Sequence, residues 1–205
     1  RCEEQPKAGR AMVAVLAAAA LAGCATGVES EAGVSRAGEV HRELLVLDTH
    51  LDTAINFGRE GWDFSQAHDV SSEIAQVDLG RMAAGNLDGG FFVIFTEQGP
   101  LTAEGYRSAL DHARERSEAI DRELAKHPGM VGLARSAAEA EALIAQDRLI
   151  AFKSIENSYP IGEDLSLLRE FYDAGVRMAG PVHGETNQLG DSATDDARWN
   201  GLSPL

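Results

Sequence analysis

Cysteine is almost absent from this chain: Cys2 and Cys24 are the only two, and both precede the part that reads as folded. A disulfide framework is therefore excluded from the body of the protein. Aromatic residues make up only 6%, and no apolar run reaches the roughly 20 residues that a membrane-crossing helix needs. Basic residues are also few, 18 Lys and Arg against 33 Asp and Glu, for a formal net charge of -15. So acidic a surface repels phosphate backbones, and nucleic acid is not an expected partner. What remains is an ordinary globular composition, 44% hydrophobic and 25% charged. The acidic excess serves solubility, and a cleft that holds divalent cations would draw on the same excess.

The longest uncharged apolar stretch, MVAVLAAAAL at residues 12–21, follows Lys7 and Arg10. A short apolar segment behind basic residues fits a secretory signal rather than a membrane span. Leu21-Ala22-Gly23-Cys24 resembles the bacterial lipobox, which makes Cys24 the expected lipidation site and residues 1–23 the signal peptide. Residues 24–40, rich in Gly, Ser, Ala and Glu, read as a flexible tether. The expected location is the cell envelope of a bacterium, lipid-anchored on the periplasmic face, with Ala25 after the cysteine favouring the outer membrane. Two acyl chains would hold such a protein far better than one.

From residue 41 strands and helices alternate. Short apolar runs at 43–48 (ELLVLD), 90–95 (GFFVIF), 149–155 (LIAFKSI) and 176–182 (VRMAGPV) predict strands buried on both faces, with a lesser one at 130–134. Between them, Tyr106, Leu110, Ala113, Ser117, Ile120 and Leu124 recur at steps of three and four and predict an amphipathic helix over 103–126. Ser136 and Glu139 form a capping-box pattern that opens a second helix. A third is predicted over 164–174, ending at Gly175 as a left-handed C-cap. This order predicts an α/β fold with a parallel sheet, either doubly wound or a barrel. Ser203-Pro204 reads as the start of a further helix. Residues 41–205 fall short of the roughly 250 typical of a complete (β/α)8 barrel. The chain is therefore expected to be the front part of one, truncated at its C-terminus and inactive by itself.

The chemistry gathers at predicted strand ends. His50 and Asp52 follow the first strand, and residues two apart on extended chain point to the same side, so imidazole and carboxylate can reach one metal ion. Glu156 ends the LIAFKSI strand, where a carboxylate needs a partner because unpaired buried charge is costly. The alternatives for Glu156 are a helix N-terminal charge, or a salt bridge with Lys153 or an arginine. His183 is read as ending the fourth strand. One histidine and two carboxylates converging on the C-terminal rim of parallel strands make a divalent-metal site suited to zinc.

LDTHLDTA, GGFFVIFTEQG, SIENSYPIGEDLSLLREFYDAGVRM and VHGETN…DSA, in that order, resemble the membrane (renal-type) dipeptidases and their bacterial relatives. The resemblance implies a zinc-dependent dipeptidase on a (β/α)8 barrel of the metal-dependent hydrolase kind. It implies His50 and Asp52 as ligands of one zinc and Glu156 as the bridge between two. His183 would be the substrate contact that stabilises the oxyanion. Hydrolysis would use a hydroxide shared between the ions, and the histidines of the second ion would lie beyond Leu205. Members of the family are often dimers, so a homodimer is the assembly it suggests. Two departures stand out: Glu156-Asn157-Ser158 where Glu-Gly-Gly or Glu-Asn-Gly is common, and Gly180-Pro181 where β-formers are usual. The rival readings are another amidohydrolase-type enzyme acting on a lactone, cyclic amide or phosphoester, and a lipoprotein that binds peptide or metal without catalysis.

Overall fold

The computed structural model describes residues 31–72 and 75–205. The signal peptide, Cys24 and the front of the expected tether lie outside the described residues. The chain divides into two units after Val40. The rear of the expected tether is not coil: α1 runs over Glu31–Glu43. Its sequence EAGVSRAGEVHRE holds no proline, and His41 and Arg42 in its last turn complement the helix dipole. No helix among the described residues is long and apolar enough to cross a membrane.

The second unit is built on five parallel strands: β1 Leu47–Leu51, β2 Gly89–Ile94, β3 Val131–Leu133, β4 Leu149–Ile155 and β5 Val176–Ala179. β4 is the hub. It pairs over Ile150–Ile155 with the whole of β2, while β3 and β5 share its other side, β3 against Leu149–Ala151 and β5 against Lys153–Ile155. β1 then pairs with β2. The run β1, β2, β4, β5, all parallel and joined through helices, is the parallel α/β order the sequence predicts, and it fits part of the (β/α) barrel that the family resemblance implies.

Between the strands lie α2 Leu79–Ala84, α3 Ala103–Lys126, α4 Ala137–Ile144 and α5 Leu167–Asp173. α3 has the predicted bounds. Thr102 caps it by accepting from Gly105 N, and Ala109, Ala113, Ser117, Ile120 and Leu124 form its buried stripe. Ala113, Ile120 and Leu124 of that stripe belong to the main core with Phe92, Ile94, Ala151 and Ile155, which also holds Phe57, Phe64 and Trp62. Ser136 caps α4 by accepting from Glu139 N, as expected, although the Glu139 carboxylate accepts from Arg135 N rather than closing the box on Ser136.

Several boundaries differ from the sequence reading. β1 starts four residues later than predicted, because the apolar Leu44 and Leu45 lie in the exposed passage out of α1. α5 begins at Leu167 because the Asp164 carboxylate accepts from Ser166 N and Oγ, closing a turn that competes with helix. Gly175 does take the expected left-handed backbone, φ 102°. β5 stops at Ala179 rather than Val182. Ser203 and Pro204 open no helix; Ser203 N donates to Leu189 O across the terminal loop.

Candidate metal and catalytic site

The C-terminal ends of β1 and β4 meet at one rim. His50 lies inside β1, and a register irregularity between Asp48 and Leu51 breaks the strand alternation there. Asp52 then opens a 3-10 turn, Asp52–Asn56. The two side chains still converge, but through a bulge and a turn rather than through the straight extended pair the sequence suggested. His50 Nε2 lies 3.1 Å from Asp52 Oδ1 and 3.8 Å from Glu156 Oε2. Glu156 follows β4 directly and is the least exposed of the set, its side chain 18% exposed.

His183 reaches the same carboxylate: its Nε2 lies 3.1 Å from Glu156 Oε1. It does not end a strand. Three residues separate it from the end of β5, and loop bonds hold it: Ser192 Oγ donates to His183 O at 2.7 Å, and Thr194 Oγ1 donates to Gly184 O at 2.8 Å. The Phe95 ring meets the His183 imidazole edge-on, with centroids 5.3 Å apart.

The alternative pairing of Glu156 with Lys153 fails on geometry. Lys153 lies three residues back on the strand and faces the helix layer, wholly buried. Its Nζ lies 2.7 Å from Asp121 Oδ1 and donates to Ser117 Oγ and Ala174 O. Burial pulls the Lys153 ammonium below its ordinary value, and Asp121 offsets part of that. Among the described residues the ion-pair partners of Asp52 and Glu156 are the histidines alone.

His50, Asp52 and Glu156 present one nitrogen and two carboxylate oxygens, all within 4.8 Å of one another. Two carboxylates brought together without a lysine or arginine repel each other, and a divalent cation between them removes that cost. The donor set thus fits a metal ion. It borders a cleft of about 520 Å³ lined also by Ile55, Val93, Phe95, Glu97, His112, Arg116 and His183. Asp63, Glu123 and His127 form a second acidic group, but Lys126 Nζ already lies 2.5 Å from Glu123 Oε2 and supplies the cation there.

Sequence reasoning missed Glu97, His112 and Arg116. Glu97 stands just past β2, a strand-end position that could have singled it out. His112 and Arg116 lie one turn apart beside the buried stripe of α3, where nothing in a sequence separates them from a solvated face. Arg116 Nη2 donates to Ala54 O at 2.8 Å and to Phe57 O at 2.7 Å, tying the turn that begins at Asp52 to α3. Burial lowers this guanidinium from its ordinary value.

Residues 34–205 match the family model of the membrane dipeptidases, peptidase family M19, and the chain belongs to that family. Dipeptidase ataJ of Aspergillus terreus is 30% identical over 127 residues, which is 60% of this chain and 31% of that protein. The crystal structure of the probable dipeptidase PvdM from Pseudomonas aeruginosa superposes with a TM-score of 0.73 at 26% identity, covering 83% of this chain and 44% of that one. Dipeptidase AC, a metallopeptidase of the same family, gives a TM-score of 0.60 at 26% identity, covering 72% of this chain and 45% of that one. The chain therefore spans less than half the length of these relatives. The fold is the TIM-barrel-like parallel α/β fold of the family's solved structures.

Proposed function

We propose that this protein is a zinc-dependent dipeptidase, with His50, Asp52 and Glu156 as zinc ligands and Glu156 and His183 as the groups that act on the peptide. The observation that carries the reading is the convergence at one strand-end rim of His50 and His183 on the two oxygens of Glu156, with Asp52 against His50. An imidazole and two carboxylates suit zinc, and three protein donors leave positions open for water and substrate. Zinc bound there would polarise the scissile carbonyl and lower the pKa of water, the usual contribution of such an ion to hydrolysis.

The residues supply the rest. Glu156 takes the proton of the attacking water and delivers it to the departing amine, so the carboxylate is restored at the end of the cycle. His183 Nε2, now directed at Glu156, is free to donate to the oxygen of the tetrahedral intermediate, where charge develops. The cleft wall of Ile55, Val93 and Phe95 takes apolar side chains, and the carboxylate of Glu97 suits a free ammonium group.

The test is hydrolysis of a dipeptide panel, with lactones and phosphoesters alongside, by the zinc-loaded full chain, with metal content measured on the same sample. Zinc retention with dipeptide cleavage, lost in Glu156→Gln and His50→Ala, is the expected result. Turnover of lactones without dipeptides would assign another amidohydrolase chemistry, and zinc retention without any turnover a binding protein. We place the protein at the bacterial cell envelope through lipidated Cys24, a reading supported by the LAGC sequence. Cys24→Ser should release it from the membrane fraction, and persistence there would refute the anchor. A homodimer rests on the family resemblance alone, and sedimentation tests it.

A further inference from the structure

Asn157 and Asn187 are buried beneath the rim, 2% and 0% exposed, and they touch each other. Asn187 Nδ2 donates to Asn157 Oδ1 at 3.1 Å and to Pro181 O at 2.9 Å. Asn157 Oδ1 also accepts from Tyr159 N at 3.2 Å, and its Nδ2 donates to Thr96 O at 3.4 Å. Asn187 Oδ1 accepts from Leu189 N at 2.7 Å. Both amides are thus committed on the nitrogen and the oxygen side, as buried polar groups must be. The bonds join three strand-end loops: Thr96 just past β2, Asn157 adjoining Glu156 after β4, and Pro181 two residues before His183 after β5.

We infer that Asn157 and Asn187 are a positioning pair that sets the distance between Glu156 and His183. The inference rests on the roles proposed above for those two residues. Asn157 is covalently next to Glu156, and Asn187 grips the chain at Pro181 while Ser192 grips it at His183 O. The pair is a buried side-chain crosslink between the two segments, beside the Ser158 Oγ bond to Gly180 O, in a place where neither amide can exchange its partner for water. A simpler bond to solvent would leave His183, itself half exposed, to swing on its loop. Glu156 and His183 differ in what holds them: β4 fixes the first, while the second sits on a loop that Ser158 ties at Gly180 and the asparagine pair ties one residue closer, at Pro181.

The test uses the zinc-loaded full chain with Asn157→Ala, Asn187→Ala and the double variant. Three readouts are followed: kcat and KM for a dipeptide, zinc content, and the imidazole NMR resonance of His183, assigned by its loss in His183→Gln. That resonance is shifted by the ring current of Phe95 and so reports where the imidazole sits. Each single variant should lower kcat by about 10- to 100-fold, the cost of misplacing a reacting group by about 1 Å. KM should stay within about threefold and zinc content should be unchanged, because β1 and β4 hold the zinc ligands and the pair sets His183 against them. The double variant should be no worse than either single one, since both remove the same link. The His183 resonance should move toward its unshifted position in all three and return in Asn157→Asp, which keeps the acceptor for Asn187.

A folded Asn187→Ala protein with unchanged kcat and an unmoved His183 resonance would overturn the inference. So would single effects that multiply in the double variant. Should Asn187→Ala fail to fold, Asn187→Ser, which keeps a shorter donor, decides on the same readouts. A parent protein that cleaves no dipeptide would refute the function proposed above, while the resonance would still decide whether the pair positions His183.

Discussion

Replacing Gly180 by alanine should disturb the site from behind, without touching any of its side chains. Gly180 follows β5 and lies flat against the chain that carries Glu156: its N donates to Ile155 O at 2.8 Å, and its O accepts from Ser158 N at 3.0 Å. A Cβ added there would lie 2.6 Å from Glu156 O. Ordinary contact starts near 3.4 Å, so one of the two backbones must move by about 0.8 Å. Neither partner is the flexible end of a side chain, and Ser158 Oγ, donating to Gly180 O at 2.9 Å, resists the slide. Overpacking of this kind costs about 1–3 kcal/mol. With a urea slope of about 2 kcal/mol per molar, the unfolding midpoint should fall by about 0.5–1.5 M. The same shift carries Glu156 relative to His183, and displacements near 1 Å cost about 100-fold in rate. Urea unfolding and dipeptide turnover of Gly180→Ala measure the two effects. Gly184→Ala is the control, since a Cβ there meets nothing within 4 Å. A Gly180→Ala protein matching the parent in midpoint and turnover would refute the reasoning.

Two further outcomes test the body of the fold. Asp121→Asn should destabilise by about 1–2 kcal/mol, because it strands the buried Lys153 ammonium, while the half-exposed position of Asp121 keeps the loss below the full cost of a buried ion pair. Lys153→Met should stay within about 1 kcal/mol of the parent in urea unfolding, and a larger loss than for Asp121→Asn would contradict this. Because burial lowers the folded-state value of Lys153, the unfolded chain binds its proton more tightly; stability should therefore rise with pH up to its ordinary value of 10.5, and Lys153→Met should flatten that rise. Asp191 accepts from the backbone N–H groups of Arg198, Trp199 and Gly201; burial raises its carboxyl, but those bonds together lower it below the ordinary 3.8. A carboxyl lowered on folding stabilises at every pH above its ordinary value and loses that contribution as acid titrates the folded form. Hydrogen-exchange protection of residues 191–201, taken relative to the intrinsic rate at each pH, should fall at low pH, and at all pH in Asp191→Asn. Unchanged protection in that variant would show that other contacts hold the loop.

Local pattern was enough wherever an element is stabilised by its own periodicity. α3 and β4 have the bounds expected of them, because a 24-residue amphipathic stripe and an apolar β-branched run leave little choice of phase. It failed where two local signals compete. Leu44 and Leu45 read as strand but lie in the exposed passage from α1 into β1. Asp164 and Ser166 read as helix but close a turn on their own side chains. Gly180-Pro181, a departure from the family pattern, proves to be where β5 must end: the glycine admits Glu156 O, and Pro181 offers its carbonyl to Asn187.

The amino-acid sequence by itself determined the alternation of strands and helices, the chemistry of the donors and the family they resemble. Those properties reside in residue identity and in spacing over a few residues. Only the tertiary structure decided that His50, Glu156 and His183 meet, that β1 bulges to turn Asp52 toward them, and that Lys153 belongs to Asp121 instead. It also decided that two buried asparagines, thirty positions apart, join the loops beneath the site. The physical reason is that convergence depends on inter-strand register and on hydrogen bonds between distant segments, and neither leaves a short-range trace in the chain.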